Sequence, residues 1–305
     1  MTAPNGLLII DKPSGITSHG VVSQVRKALG TRKVGHAGTL DPMATGVLVL
    51  GLERATRVLG HLALHDKEYL ATIRLGASTV TDDSEGETTQ TADAGVLGEV
   101  TDEAIAVVIA TLTGDIEQVP SAVSAIKVDG KRAHALVRAG EDVVLKSRRV
   151  HVERFDVLSI IRGEGFIDLQ VAVTCSTGTY VRALARDLGS ELNVGGHLTA
   201  LRRTRVGSWT SGESIELQAF VESADPSSHV VRLDVVAPRS FRTREVSAGE
   251  AEYIRTGRII AWAPASTIDE SLPAEPVALI DPTGRLMALA QPKGTDARYL
   301  AVFAE

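Results

Sequence analysis

The stretch Gly35-His36-Ala37-Gly38-Thr39-Leu40-Asp41-Pro42-Met43-Ala44-Thr45-Gly46 constrains this chain more than any other. It shows neither the spacing of an amphipathic helix nor the alternation of a strand. It reads as a loop with many backbone constraints. Its glycines permit tight backbone geometry or the close approach of a ligand. Pro42 pushes Asp41 towards an extended conformation, so the carboxylate is carried on a loop. A carboxylate held this way is a candidate nucleophile or general base. The same Asp-Pro pair also serves as a plain turn whose side chain bonds its own backbone.

The surroundings alternate between strands and helices. Leu7–Ile10 reads as a short buried strand that ends at the turn cluster Asp11–Gly15. Thr17 or Ser18 caps a helix that runs to Leu29 and stops at Gly30. Val47–Leu52 and Tyr69–Leu75 read as strands, with helical spacing over Glu53–Leu64 between them. Thr101–Leu112 reads as a capped helix with Asp102 and Glu103 in its first turn, where they suit the helix dipole. A hairpin is expected at Ser124–Gly130. Val150–Ile160 and Phe166–Thr174 are alternating runs expected to pair antiparallel. Tyr180–Leu192 is helical, and Gly195-Gly196 breaks the chain after it. Ser223–Ser228 is the linker candidate, and the residues beyond it read as a small, mainly β tail with a hairpin at Val277–Ala290.

Composition narrows the class. The 305 residues are 44% hydrophobic and 23% charged, which excludes a disordered chain, a collagen and a coiled coil. No apolar run approaches the roughly 18 residues of a membrane helix, and Asp11-Lys12 interrupts the apolar run near the N-terminus, unlike a signal peptide. Cys175 is the single cysteine, so an internal disulfide and a multi-cysteine metal site are excluded. A cytoplasmic protein is the expectation. The net charge of −6 hides a segregation: residues 1–60 carry +4, 61–129 carry −10, 130–210 carry +5 and 211–305 carry −5. Two basic segments of this kind suit one positive surface facing a polyanion, and equally suit solvated faces on an ordinary enzyme.

The glycine-framed loop resembles the signature loop of the bacterial tRNA pseudouridine synthases of the TruB family, which convert uridine-55 of the T-loop to pseudouridine. The resemblance continues in order along residues 6–207. Asp11-Lys12-Pro13, Arg26-Lys27 and Arg32-Lys33 precede the loop. Lys67-Glu68-Tyr69, Arg74-Leu75-Gly76, Thr81-Asp82-Asp83 and Gln118-Val119-Pro120-Ser121 follow it, with Ser124-Ala125-Ile126-Lys127 after them. Cys175–Arg182, Asp187-Leu188-Gly189, Gly195-Gly196-His197 and Leu201-Arg202-Arg203 close the series. The resemblance implies that Asp41 is the catalytic aspartate and that Tyr69 stacks on the target base and is a candidate proton acceptor. It also implies that Arg182 ion-pairs with the aspartate, that His36 assists in opening the T-loop, and that Asp83 contacts the flipped base. Leu201 falls on an apolar pocket wall and Lys12-Pro13 on a turn that supports the loop. Tyr180, beside Arg182 in the same block, joins the substrate-binding set.

Pseudouridine formation detaches uracil from ribose, rotates it and rejoins it through C5, exchanging no electrons with a partner, so neither cofactor nor metal is expected. The resemblance implies a mixed α/β (α+β) fold: a pseudouridine synthase domain, residues 1–228, with a central antiparallel sheet and a catalytic cleft, followed by a small, mainly β, PUA-like domain over residues 238–305. The expected partner is the T-arm of tRNA, with no membrane and a monomeric protein. Two other classes remain in view. One is an RNA-binding protein without catalysis. The other is a glycoside hydrolase, which needs a second carboxylate that Asp82 or Asp83 formally supplies.

Overall fold

The computed structural model describes residues 4–121, 127–128, 131–132, 145–262 and 275–304. The chain divides into two compact units. One comprises Met1–Asp41, Val47–Leu64 and Gly207–Glu305, the other Pro42–Gly46 and His65–Val206. The fold is the expected mixture of helix and sheet, and no helix among the described residues is long and apolar enough to cross a membrane.

In the first unit, β1 (Gly6–Lys12) and the Val47–Leu52 part of β3 (Thr45–Leu52) are near-continuous apolar runs, buried on both faces. The expected helix α1 (Ser18–Leu29) lies between them in sequence. Thr17 caps it by accepting from the Gly20 N–H, and Gly30 ends it in the left-handed conformation. The start of the expected loop is a strand, β2 (Val34–His36), which pairs antiparallel with β3, His36 opposite Leu50. Glu53–Leu64, expected as helical, is a 3-10 turn over Glu53–Val58 followed by one α-turn over Leu59–Leu62.

The second unit is built on an antiparallel sheet. Its strands are β4 (Lys67–Leu75), β5 (Gly114–Gln118), β6 (Arg148–Gly163), β7 (Phe166–Cys175) and β8 (Gly196–Val206), in the spatial order β8-β4-β7-β6-β5. The expected pairing of the two long runs is present as β6 against β7, with Phe155 opposite Val173. Helix α2 (Asp102–Thr111) is capped by Thr101, and α3 (Val181–Glu191) precedes β8. The turn between α3 and β8 lies so close to Gly189 of α3 that a Cβ there would be 2.1 Å from the Gly195 carbonyl carbon. Thr45 and Gly46, which open β3, belong to this unit and pair parallel with Arg202 and Arg203. Of the hairpin expected at Ser124–Gly130, Lys127–Val128 pairs antiparallel with Lys131–Arg132. Ser124–Ile126 and Asp129-Gly130 lie outside the described residues.

The tail folds as expected into strands. β9 (Arg242–Glu245) runs parallel to β10 (Val277–Ile280), and β11 (Leu286–Lys293) and β12 (Asp296–Val302) add antiparallel. Val246, Ala251, Ile254, Leu279 and Met287 belong to a buried cluster within it. At the end of Ser223–Ser228, Pro226–His229 is a 3-10 turn capped by the Asp225 carboxylate, which accepts from the Ser227 N–H. Within the first unit, Arg54 and Arg57 donate to the carbonyls of Phe303 and Val302, tying the chain end to the turn after β3.

Candidate active site

Of the site residues expected from the sequence, Lys12, His36 and Asp41 lie in the first unit. Lys12 ends β1 fully buried, and its ammonium donates to the carbonyls of Pro13 (2.9 Å) and Ile16 (2.8 Å). A buried charge is tolerable only when its donors are met, and here they hold the Pro13–Ile16 turn that leads into α1. His36 stands edge-on to His19, ring centres 5.7 Å apart. Asp41 is half-buried, outside helix and strand. The backbone just before it is clamped. Ser18 Oγ donates to the Leu40 carbonyl at 3.0 Å and accepts from the Leu40 N–H at 2.9 Å. Ser18 is one of the two alternative helix caps that the sequence offers. Thr17 takes the capping role, which leaves the Ser18 hydroxyl for the loop.

In the second unit, Tyr69 sits on the central strand β4, buried, between Val173 of β7 and Arg203 of β8. Leu201 is buried on β8. Arg203 is buried as well, and its backbone explains the last glycine of the loop. Gly46 has φ +98°, and a Cβ there would lie 2.2 Å from the Arg203 carbonyl oxygen.

Arg182 lies in the first turn of α3, where a cation opposes the helix dipole. Its side chain is 5% exposed and Asp83 faces it at 3% exposed, with Nη1 3.3 Å from Oδ2. The same Nη1 donates to the Thr81 carbonyl at 2.7 Å. Asp83 also accepts from the Thr81 hydroxyl at 2.5 Å and the Glu85 N–H at 3.0 Å. Arg182 is thus ion-paired with Asp83, and Asp83 is a buried anchor of the arginine. Its neighbour Asp82 takes a left-handed backbone, φ +58°. Burial pushes the Asp82 carboxyl above its ordinary pKa, against the pull of Arg186 and Arg182.

Tyr180 precedes α3 with Arg148 5.4 Å over its ring. One side chain, Gln118, holds both of its backbone groups: Gln118 Oε1 accepts from the Tyr180 N–H at 2.8 Å, and Gln118 Nε2 donates to the Tyr180 carbonyl at 3.2 Å. Gln118 is 1% exposed. Sequence reasoning places it within a motif and assigns it no role.

Two residues are structural. His197 is buried with Nδ1 2.9 Å from the Ala77 carbonyl. Cys175 is buried at the end of β7, and burial pushes its thiol up to about 11, far from a thiolate nucleophile near neutrality.

The chain is similar to known proteins along most of its length. The model of the TruB family pseudouridylate synthase N-terminal domain matches residues 26–181, and that of the tRNA pseudouridylate synthase B C-terminal domain matches residues 182–233. A tRNA pseudouridine synthase B of Cutibacterium acnes is 53% identical over 291 residues, 95% of this chain and 94% of that protein. One of Rhodococcus jostii is 55% identical over 298 residues, 97% and 93% of the two chains. A solved chain from a Cbf5-Nop10-Gar1 complex superposes with a TM-score of 0.74 at 26% identity, covering 100% of this chain and 85% of that one. With a carboxylate on a clamped glycine-rich loop, a buried arginine–aspartate anchor and this degree of likeness, the chain belongs to the TruB family of pseudouridylate synthases and is an isomerase.

Proposed function

We propose that this protein converts uridine-55 in the T-loop of tRNA to pseudouridine, with Asp41 as the essential carboxylate. The observation that carries the reading is the Asp41 loop itself, framed by glycines and clamped at Leu40 by Ser18, in a chain whose relatives are named tRNA pseudouridine synthase B. In the reaction the C1′–N1 bond breaks, the uracil turns, and a C1′–C5 bond forms. The C5 proton leaves and N1 ends protonated, so atoms and electrons balance within the substrate. The Asp41 carboxylate engages the ribose or the base while the glycosidic bond is broken. Tyr69 offers a π-face for the detached uracil and a hydroxyl for the C5 proton. Arg182 supplies positive charge at the site and is steadied by Asp83 and Thr81. Leu201 forms an apolar wall, Tyr180 contacts substrate, and Lys12 supports the loop through its turn. His36 assists in opening the T-loop, since the target base must leave its stack at a cost of about a few kcal/mol. The enzyme works as a cytoplasmic monomer. Buried Asp83, held by a guanidinium, a hydroxyl and an N–H, is poorly placed as the second carboxylate of a glycosidase.

The test is incubation with a T-arm minihelix followed by mapping of pseudouridine. Modification at the single T-loop uridine is expected. Asp41→Asn is expected to abolish it, a loss of many kcal/mol of barrier stabilisation, while RNA affinity stays within about tenfold. Turnover by this variant, or release of free uracil by the wild type, would overturn the reading.

A further inference from the structure

We infer that Gln118 is a positioning residue for the reaction, acting through the start of helix α3 on Arg182. The inference rests on the proposed role of Arg182. Helix α3 begins badly by the ordinary rules. Its N-cap, Tyr180, offers no side-chain cap to the free N–H groups of the first turn. Its second residue, Arg182, is a buried cation at the positive end of the helix dipole. A helix start with no cap and a repelled charge frays or shifts unless something outside the helix holds it.

Gln118 does so from the end of the edge strand β5. A primary amide carries one acceptor and one donor group on a planar fork, the complement of a backbone N–H and C=O. Here it satisfies both groups of one residue, Tyr180, 62 positions away in the chain. The next residue repeats the tie one turn further along α3: Arg186 Nη2 donates to the Val119 carbonyl at 2.7 Å. The Gln118-Val119 segment is thus stapled to α3 at Tyr180 and at Arg186, on either side of Arg182. The strand end fixes the axial position and rotation of the first helical turn. That rotation in turn decides whether the Arg182 guanidinium reaches Asp83 and the Thr81 carbonyl. Gln118 is itself almost fully buried. A buried amide is retained at such a point only when both ends of its fork are satisfied.

The experiment measures single-turnover pseudouridylation of a T-arm minihelix at saturating enzyme, together with RNA affinity and the melting temperature. The variants are Gln118→Ala, Gln118→Glu, Arg182→Lys and the double variant Gln118→Ala/Arg182→Lys. Gln118→Glu keeps an acceptor for the Tyr180 N–H, replaces the donor to the Tyr180 carbonyl with an oxygen and adds a negative charge; it leaves no cavity, so it carries the test should the alanine variant fail to fold. Expected are a rate constant lowered about tenfold or more in either Gln118 variant, because small displacements of a site group cost that much, and RNA affinity within about threefold. In the Arg182→Lys background, Gln118→Ala should lower the rate by less than about twofold, since a residue that acts through another has nothing left to position. A merely structural glutamine would lower the melting temperature and leave the rate of the folded enzyme alone. A folded Gln118 variant with the wild-type rate, or a full tenfold loss in the Arg182→Lys background, would overturn the inference and leave the proposed function standing. A wild-type rate in Arg182→Lys would instead remove the role proposed for Arg182, and this inference with it.

Discussion

Ser18 holds Leu40 by both backbone groups through one hydroxyl, and Leu40 is the residue before Asp41. The hydroxyl is suited to this because it donates and accepts at once, and Ser18 is 1% exposed, so no water takes its place readily. Ser18→Ala leaves a buried N–H and C=O without that partner, a cost of about 1–3 kcal/mol. More telling is the expected effect on catalysis. With the loop free to shift, the single-turnover rate at saturating RNA should fall about tenfold to a hundredfold, while the affinity for RNA changes little. Rapid-quench kinetics on a T-arm minihelix measure this. A folded Ser18→Ala enzyme with an undiminished rate would show that the Asp41 loop is held without the clamp.

At the scale of elements, β4 does the most. It lies between β7 and β8, its side chains alternate between buried and less buried, and it carries Tyr69. Arg74 and Asp168, directly opposite across β4 and β7, form a two-armed pair at 2.8 and 2.6 Å that fixes the register near the other end. Its first residue, Lys67, is buried, with its ammonium 2.6 Å from the His65 carbonyl. Burial, and then the nearby Arg203 charge, lower its pKa from 10.5 to about 8. The sign for stability follows. Between pH 8 and 10.5 the unfolded chain holds a proton here that the folded chain has released, so raising the pH through this window stabilises the fold. Cys175 works the other way and later: its thiol stays protonated in the fold to about 11 and ionises from 9.0 when unfolded, so it favours unfolding only above pH 9. Denaturant melts of the wild type should therefore show stability rising by about 1 kcal/mol from pH 7 to pH 9. Lys67→Met should remove that rise. An equal rise in the variant would assign it to another group.

For the molecule as a whole, charge distribution is the property that meets RNA. The basic stretches 1–60 and 130–210 alternate in sequence with acidic ones, and several of their cations stay exposed, Lys27 and Arg32 among them. Others are exposed as well but already hold a partner within the chain: Arg26 donates to the Val34 carbonyl and Arg149 pairs with Asp115. Exposed cations are the ones able to displace counterions from phosphate. RNA affinity should fall as salt rises, and Lys27→Glu with Arg32→Glu should flatten the log–log slope by about one for each phosphate that is no longer neutralised. Arg242→Glu, in the acidic tail, should leave the slope alone. Binding titrations across a salt series decide it, and an unaltered slope in the Lys27/Arg32 variant would place the RNA on another surface.

The features legible in the sequence are those decided within a few residues. The glycine-framed loop, a cap at Thr17 or Ser18, the capped helix from Thr101, the Gly30 stop and the β6–β7 pairing follow from local backbone preferences and periodicity, and the structure contains them, with Thr17 as the cap. The order of motifs identified the family, which the relatives bear out. Periodicity tells which face of an element is buried and says nothing about which atom will be opposite it. Helical spacing over Glu53–Leu64 could not tell a 3-10 turn from an α-turn, since three- and four-residue spacings look alike over so short a span. Ser18 against Leu40, Gln118 against Tyr180 and Arg182 against Thr81 join residues 22, 62 and 101 positions apart. Those partners exist only once the fold places β5 against the start of α3 in one unit and the start of α1 beside Leu40 in the other. A hydrogen bond needs its donor and acceptor within about 3 Å, and over such separations only the tertiary fold sets that distance.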